Sequence, residues 1–284
     1  LKPNFTQIAQ FPTPARIGLF VVMLLLMWVP IALPIDWFVS ATYGNTEAAR
    51  NLVTILTMPL LYAEFVLLVV LWGRFVYGQT NLFKRYGFRQ PRKNLRDVVR
   101  GVSVGLLSLL LMFVLQSAFG WVVWQFPQPT FARIFLEGAG VAIAYGVAEE
   151  LLFRGWLLDE LQRGYSAQTA LLTSSIIYAA LHCIRPLQES IQFPALIILG
   201  LILVWAKRLT QGRLGLSIGF HAGLIWGYYI VNVGQLVTYS DQVPEWVTGI
   251  GRNPLAGIVG IFSLGAIALW IRGAARRQGR VGMS

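Results

Sequence analysis

The sequence predicts an all-α, polytopic membrane protein of about eight transmembrane helices, and three observations predict it. The 284 residues are 56% hydrophobic and only 12% charged, with a mean hydropathy of +0.62. That is too apolar for an ordinary soluble domain. Apolar runs long enough to cross a bilayer recur along nearly the whole chain. The 23 Lys and Arg gather in alternate connecting segments, the pattern that sets orientation in a membrane. The single cysteine, Cys183, excludes an internal disulfide. No Gly-rich phosphate loop, internal repeat or low-complexity tract is present. The net charge of +11 points to cytoplasmic loops on anionic lipid and gives no case for nucleic acid.

In chain order, Lys2–Arg16 is polar and Pro-rich, a surface arm. Ile17–Val39 is the first span, bent or broken near Pro30 and Pro34. It is too long, and too rich in late prolines, for a signal peptide. Leu52–Tyr77 is the second span. Residues 84–100 form a basic loop, and the spacing of Arg89, Arg92, Lys93, Arg96 and Arg100 predicts a short interfacial helix on anionic lipid. Val102–Val123 is the third span, with Trp121 and Trp124 as interfacial anchors. After a Pro-rich turn, Ile134–Leu158 is the fourth span. Gly164 stops that helix, and Ser166 caps the next. Ala167–Ile184, Phe193–Ala206, Leu214–Val237 and Leu255–Ile271 complete the set. The expected organisation is one membrane domain over residues 1–284. Its N-terminal helices span 17–123, the site-bearing helices 131–237, and the last helix 255–271. With the N-terminus inside, the outside loops hold only Arg50, Arg133, Arg185 and Arg252. Both termini are then cytoplasmic.

The informative stretch is Ala148-Glu149-Glu150-Leu151-Leu152-Phe153-Arg154-Gly155-Trp156. Each charge at a bilayer centre costs about 2.5–3.5 kcal/mol on insertion scales, so such residues face the bundle interior and mark function. On an α-helix Glu150 and Arg154 meet on one face and pair. Glu149 is rotated about 100° away and has no local counter-ion. Neighbouring carboxylates with unlike surroundings are suited to unlike roles.

The chain has two histidines, His182 and His221, both in apolar spans. Glu149 and His182 lie at equal distances, about 24 Å of helix, on either side of the Gly164–Ser166 turn, so they sit at one depth. His221 is about 10 Å into its own span from the basic turn at Lys207, Arg208 and Arg213. Glu149, Glu150, Arg154, His182 and His221 can therefore share one layer. A carboxylate and an imidazole can jointly deprotonate a water, and a second imidazole can stabilise an oxyanion. The same residues could instead form a His₂Glu zinc site. No His-Glu-x-x-His helix is present, and the metal-free reading is preferred.

Glu149-Glu150-x-x-x-Arg154, then Tyr178-x-x-x-His182, then His221 in a later span resembles the CAAX-protease and bacteriocin-processing family of intramembrane glutamic endopeptidases, to which the Ras-converting-enzyme prenyl proteases belong. The resemblance runs from about Gly140 to Tyr229. It implies a peptidase with no cofactor, acting on a peptide or protein that enters from the membrane or the cytoplasmic side. Glu149 would be the general base, with His182 helping to hold the water. Glu150 and Arg154 would support them, and His221 would serve the oxyanion. Two departures stand out: Tyr178 replaces the family's usual Phe, and Ile225 replaces an Asn or Asp four residues after the last histidine. Tyr228, on the His221 face, could supply a hydroxyl in its place.

Two rival functions follow from the same residues. A non-catalytic immunity, binding or scaffold protein would keep the fold and tolerate Ile225. A transporter would line an ion path with these charges, but no inverted repeat or matched pair of broken helices is visible. Residence in a bacterial-type inner membrane is expected. Phe193–Ala206 gives only about 21 Å of helix against a hydrocarbon core of about 30 Å. The loop Arg185–Gln192 is accordingly expected to stay within the bundle beside the polar layer.

Overall fold

The protein, seen in a computed structural model, is described over residues 5–183 and 192–281. Contacts divide the chain after Leu82 into two compact units. The first holds α1 (Thr13–Tyr43) and α2 (Glu47–Phe75), which pack on each other. Phe20 meets Phe65 and Trp72 edge-on, with ring centroids 6.0 and 5.4 Å apart. Thr46 caps α2 by accepting the Ala49 N–H at 3.1 Å. Of the bend or break expected near Pro30 and Pro34, no break occurs: α1 runs through both, as α2 runs through Pro59. Membrane helices tolerate proline because neighbouring groups re-satisfy the few backbone groups it frees.

The second unit begins at Phe83, within the short helix α3 (Leu82–Tyr86). The expected interfacial helix and third span are one 28-residue helix, α4 (Pro91–Ala118). Helical pairing continues through Gly101, so the basic residues occupy the first turns of a spanning helix. Strand β1 (Val122–Trp124) leads to α5 (Phe131–Glu150), which continues without interruption through a π-helical segment, Leu151–Leu157, into α6 (Leu158–Gly164). Ser166 then caps α7 (Ala167–His182), accepting the Thr169 N–H at 3.1 Å. The remaining elements are α8 (Phe193–Leu209), α9 (Gly215–Val233), β2 (Val237–Tyr239), α10 (Glu245–Thr248) and α11 (Ile258–Val281). The last helix is longer than expected because it carries on into the basic tail. Strand β1 takes up the expected end of the third span and β2 the junction of the seventh span with the loop after it, and the two pair antiparallel. Strands of three residues leave no period for a sequence to show.

Among the described residues, six helices are long and apolar enough to cross a membrane: α1, α2, α4, the continuous helix Phe131–Gly164, α9 and α11. Helices α7 and α8 are shorter, 16 and 17 residues. They rise about 24 and 26 Å, less than a hydrocarbon core of about 30 Å. The expectation for the Arg185–Gln192 loop falls on residues outside those described, apart from Gln192.

Helix α9 is held chiefly by α4 and α5. The α4–α9 crossing is a seam of glycines. A Cβ at Gly101 would stand 2.5 Å from the Phe220 amide nitrogen, and one at Gly105 would stand 2.7 Å from the Phe220 carbonyl oxygen. From the other side, a Cβ at Gly223 would stand 2.5 Å from the Val102 carbonyl oxygen, and one at Gly219 would collide with that of Val98. Small residues let two backbones touch, and in lipid such packing is a main source of helix association. His221 lies between Gly219 and Gly223, so the seam fixes its height and direction. Gly219→Leu should therefore lower stability by at least about 1–3 kcal/mol, the range for overpacking. Gly265→Ala, where nothing lies within 4 Å, should be close to neutral. Thermal unfolding of the two variants in detergent checks this.

Candidate active site

The site is built from four helices of the second unit. Gly146, one turn before the Glu pair, brings α5 close to α9: a Cβ there would stand 3.0 Å from the Ile218 carbonyl oxygen. Gly200 does the same between α8 and α7, where a Cβ would stand 2.9 Å from Ser175. These approaches bring all five sequence-predicted residues together. Glu149 Oε2 lies 3.4 Å from His182 Nε2 and 3.7 Å from His221 Nε2. His221 Nδ1 is 3.0 Å from Glu150 Oε1, and the Arg154 guanidinium donates to that same oxygen at 3.0 Å.

The two carboxylates differ as their sequence setting suggested. Glu150 and Arg154 are fully buried, whereas Glu149 is half-buried and His182 partly exposed. Glu149 Oε2 has no hydrogen bond among the described residues, although two imidazole nitrogens flank it. The imidazoles are oriented by their other nitrogens. His182 Nδ1 lies 2.8 Å from the Tyr178 carbonyl oxygen and donates to it, which leaves Nε2 facing Glu149. His221 Nδ1 donates to Glu150, and its Nε2 is 3.3 Å from the Tyr178 hydroxyl. That hydroxyl is fully buried with the Tyr178 ring. Among the described residues, no group of three or more His, Cys, Asp or Glu side chains is disposed to hold a metal ion.

Three participants had no role assigned from the sequence: Tyr178, named there only as a motif position, Gly200 and Lys207. The Tyr178 ring lies under the Arg154 guanidinium, 4.3 Å from ring centroid to Cζ, and its hydroxyl is the one that reaches His221. Tyr228, proposed for that part, accepts instead from the Asn232 amide at 3.3 Å and lines a different cavity. Gly200 offers its carbonyl oxygen to Arg154 Nη2 at 3.4 Å. Lys207 donates to the Arg154 carbonyl oxygen at 2.5 Å. The π-helical segment explains this last contact. An α-helix would direct the Leu158 N–H to Arg154 O, but here it goes to Phe153 O and Gly155 O. Lys207 supplies a donor to the carbonyl that Leu158 bypasses. Helix α8 thus grips Arg154 twice, by side chain at Gly200 and by main chain at Lys207. A π turn is rare and recurs at functional sites. This one follows Glu149 and Glu150 directly and shifts their direction relative to Asp159, which is anchored by Arg85 at 2.6 Å and Arg163 at 3.0 Å.

Removing one partner of a buried ion pair leaves a buried charge uncompensated, at a cost of about 3–5 kcal/mol. Arg154→Met should reduce stability on that scale. Changing both partners, Glu150→Gln with Arg154→Met, should recover a large part of it. Unfolding of the two single variants and the double variant in detergent measures the coupling directly.

Residues 130–227 match the family described as type II CAAX prenyl endopeptidase Rce1-like. Comparison with curated proteins and with solved structures gives no match. The matched stretch contains Glu149, Glu150, Arg154, His182 and His221, so the segment that builds this site in an integral, multi-pass membrane protein is similar to the Rce1-like peptidases of the CAAX-protease and bacteriocin-processing family.

Proposed function

We propose that the protein is an intramembrane endopeptidase that hydrolyses a peptide bond with a water activated by Glu149 and His182. The observation that carries this reading is the Glu149 carboxylate oxygen flanked by two imidazole nitrogens at 3.4 and 3.7 Å. With Nδ1–H committed to Tyr178 O, a neutral His182 presents a lone pair at Nε2 beside that carboxylate. Two acceptors so placed take the two hydrogens of one water and turn its lone pair towards a scissile carbonyl. Glu149 removes the proton as the C–O bond forms, and then returns it to the leaving amine nitrogen as the C–N bond breaks. Glu150 and Arg154 stay paired and act through His221, whose ring they orient.

The oxyanion requires donors. His221 gives Nδ1–H to Glu150, so its Nε2 donates only when the ring carries both protons and otherwise accepts the Tyr178 hydroxyl. Tyr178 and Ile225 are therefore best read together. The chain lacks an amide or carboxyl at 225 but has a phenol hydroxyl at 178, 3.3 Å from His221. We assign that hydroxyl the missing donor's part, directly or through His221. The second reading, a non-catalytic immunity, binding or scaffold protein on the same fold, is favoured by Ile225 alone. A zinc-dependent peptidase using Glu149, His182 and His221 is the alternative chemistry.

The substrate in this reading is a polypeptide reaching the site from the membrane or the cytoplasmic side. The description of the matched family suggests a prenylated C-terminus as one class to test. The lysine and arginine asymmetry supports cytoplasmic termini; in this reading residues 1–284 act as one membrane domain in a bacterial-type inner membrane. Arg92, Lys93, Arg96 and Arg100 are exposed on the first turns of α4, available to anionic lipid.

Glu149→Gln should abolish hydrolysis while leaving the melting temperature of the detergent-solubilised protein within a few degrees of the parent. Product formation is followed by mass spectrometry of membrane peptides and of a prenylated test peptide. Activity should survive a strong chelator, and stoichiometric zinc lost together with activity would establish the metal-dependent alternative instead. Tyr178→Phe should lower kcat by about 10²–10³, the usual effect of losing one oxyanion donor, with little change in KM. Equal turnover by the parent and Glu149→Gln would overturn the assignment of Glu149, and absence of turnover by the parent would decide for the non-catalytic reading.

A further inference from the structure

A second site lies at the other end of α9. Asn232 is eleven residues beyond His221, or about 16 Å along the helix. There a cavity of about 660 Å³ is lined by β2, the residues that flank β1, the end of α9 and the segment around α10. Its lining includes Tyr228 and Asn232 of α9, all three residues of β2, and Asp241, Glu245 and Arg252. None of the five residues of the candidate active site belongs to it.

Two features show that this cavity is a built structure and what it is built to meet. The first is backbone strain. Gln235, Asp241 and Arg252, all in the lining, hold φ of +50°, +55° and +61°. For residues other than glycine this left-handed conformation costs about 1–2 kcal/mol each. Such strain is held where the surrounding structure over-determines it, commonly at ligand sites.

The second is the strand edge. The flanking bonds Gln125 N–H to Leu236 O, 2.8 Å, and Ser240 N–H to Trp121 O, 3.0 Å, set the ladder's phase. Thr238 exchanges bonds with Val123, and Val237 and Tyr239 are the non-bonded positions. The N–H and C=O of Val237 and Tyr239 therefore point away from β1. Among the described residues they have no backbone partner. Val237, Thr238 and Tyr239 line the cavity consecutively, together with Trp121 and Gln125, which flank β1. The cavity runs along the whole of β2, including the two residues whose N–H and C=O groups are open. Four main-chain groups in a row, with alternating spacing, match the main chain of another extended segment. The phenol of Tyr239, pushed up to about 12 by burial, stays protonated throughout the physiological range and remains a donor. Asp241 is exposed and makes no hydrogen bond or ion pair among the described residues, whereas Glu245 accepts the Gly251 N–H at 3.2 Å.

We propose that this cavity binds an extended polypeptide segment by adding it as a third strand to β2, with a basic side chain of that segment set against Asp241. The site is separate from the Glu149 centre, and the proposal does not rest on the catalytic reading. The cavity stands at the end of α9 opposite the basic turn at Lys207–Arg213, so the segment it takes is an extramembrane stretch on that other face.

The test uses the full chain in detergent and the blocked pentapeptide acetyl-Thr-Val-Lys-Val-Thr-amide, with binding read by calorimetry. Saturable binding is expected. N-methylation at alternate peptide nitrogens, which removes the edge donors, should weaken it at least about tenfold. Val237→Pro should weaken it similarly, since it deletes one open-edge N–H without touching the bonds between β1 and β2. Val237→Ala should not. Asp241→Asn should cost about tenfold for the lysine peptide and nothing for its norleucine analogue. The proposal is overturned if the parent peptide shows no saturable binding at millimolar concentration, or if the N-methylated peptide binds as well as the parent. Equal binding of the lysine peptide to the parent and to Asp241→Asn would overturn the assignment of the basic side chain.

Discussion

A guanidinium sealed inside a membrane protein sets the terms for everything around it. Arg154 is 1% exposed, and its charge can stay there only if it is fully answered. Glu150 provides the counter-charge, Gly200 a carbonyl and Tyr178 the face of a ring. Those three partners come from three different helices, so satisfying one side chain fixes how α5, α7 and α8 approach. His221 joins through the same Glu150 oxygen and brings in α9. The geometry around Glu149 is a consequence of this network, because both imidazoles that face it are oriented by members of the network or by their backbone.

The close approach of helices is the second requirement, and it is met by absent side chains. Gly146, Gly200 and the four glycines at the α4–α9 crossing each stand where a Cβ would press on a neighbouring helix. In lipid there is no hydrophobic gain from moving apolar groups out of water, so packing at short range carries more of the association. The π turn after Glu150 adds a local adjustment. It leaves the Arg154 carbonyl to Lys207, and in exchange lets the Glu pair and the Arg85–Asp159 contact be satisfied on one continuous helix. Helix α9 then links two unlike environments. Its first half is buried among glycine contacts and carries His221, and its second half opens into the polar cavity beside β2.

Much of this was legible in the sequence. Hydropathy showed an all-helical membrane protein, because burial in lipid forces backbone groups to pair within each helix. Gly164 and Ser166 marked the α6–α7 turn correctly, since capping is a local matter. The five residues Glu149, Glu150, Arg154, His182 and His221 were readable as a group because charge in an apolar span is costly and therefore rare. Equal helical rise on both sides of one turn put Glu149 and His182 at the same depth, and they stand 3.4 Å apart.

Other features had no local signal. Prolines 30 and 34 do not interrupt α1, and basic residues expected on a separate interfacial helix begin α4. The partners of Arg154 at Gly200 and Lys207 are 46 and 53 residues away. The choice of Tyr178 over Tyr228 as the hydroxyl near His221 turned on which helix faces His221, a matter of packing and not of spacing along α9. The sequence by itself determined the helices, the shared level of Glu149 and His182 along their hairpin and the rare charges the helices carry, because periodicity, capping and the cost of buried charge act within one segment. Only the tertiary structure decided which faces meet, where the helix takes a π turn and which strand edge stays open, because those follow from contacts between segments far apart in the chain.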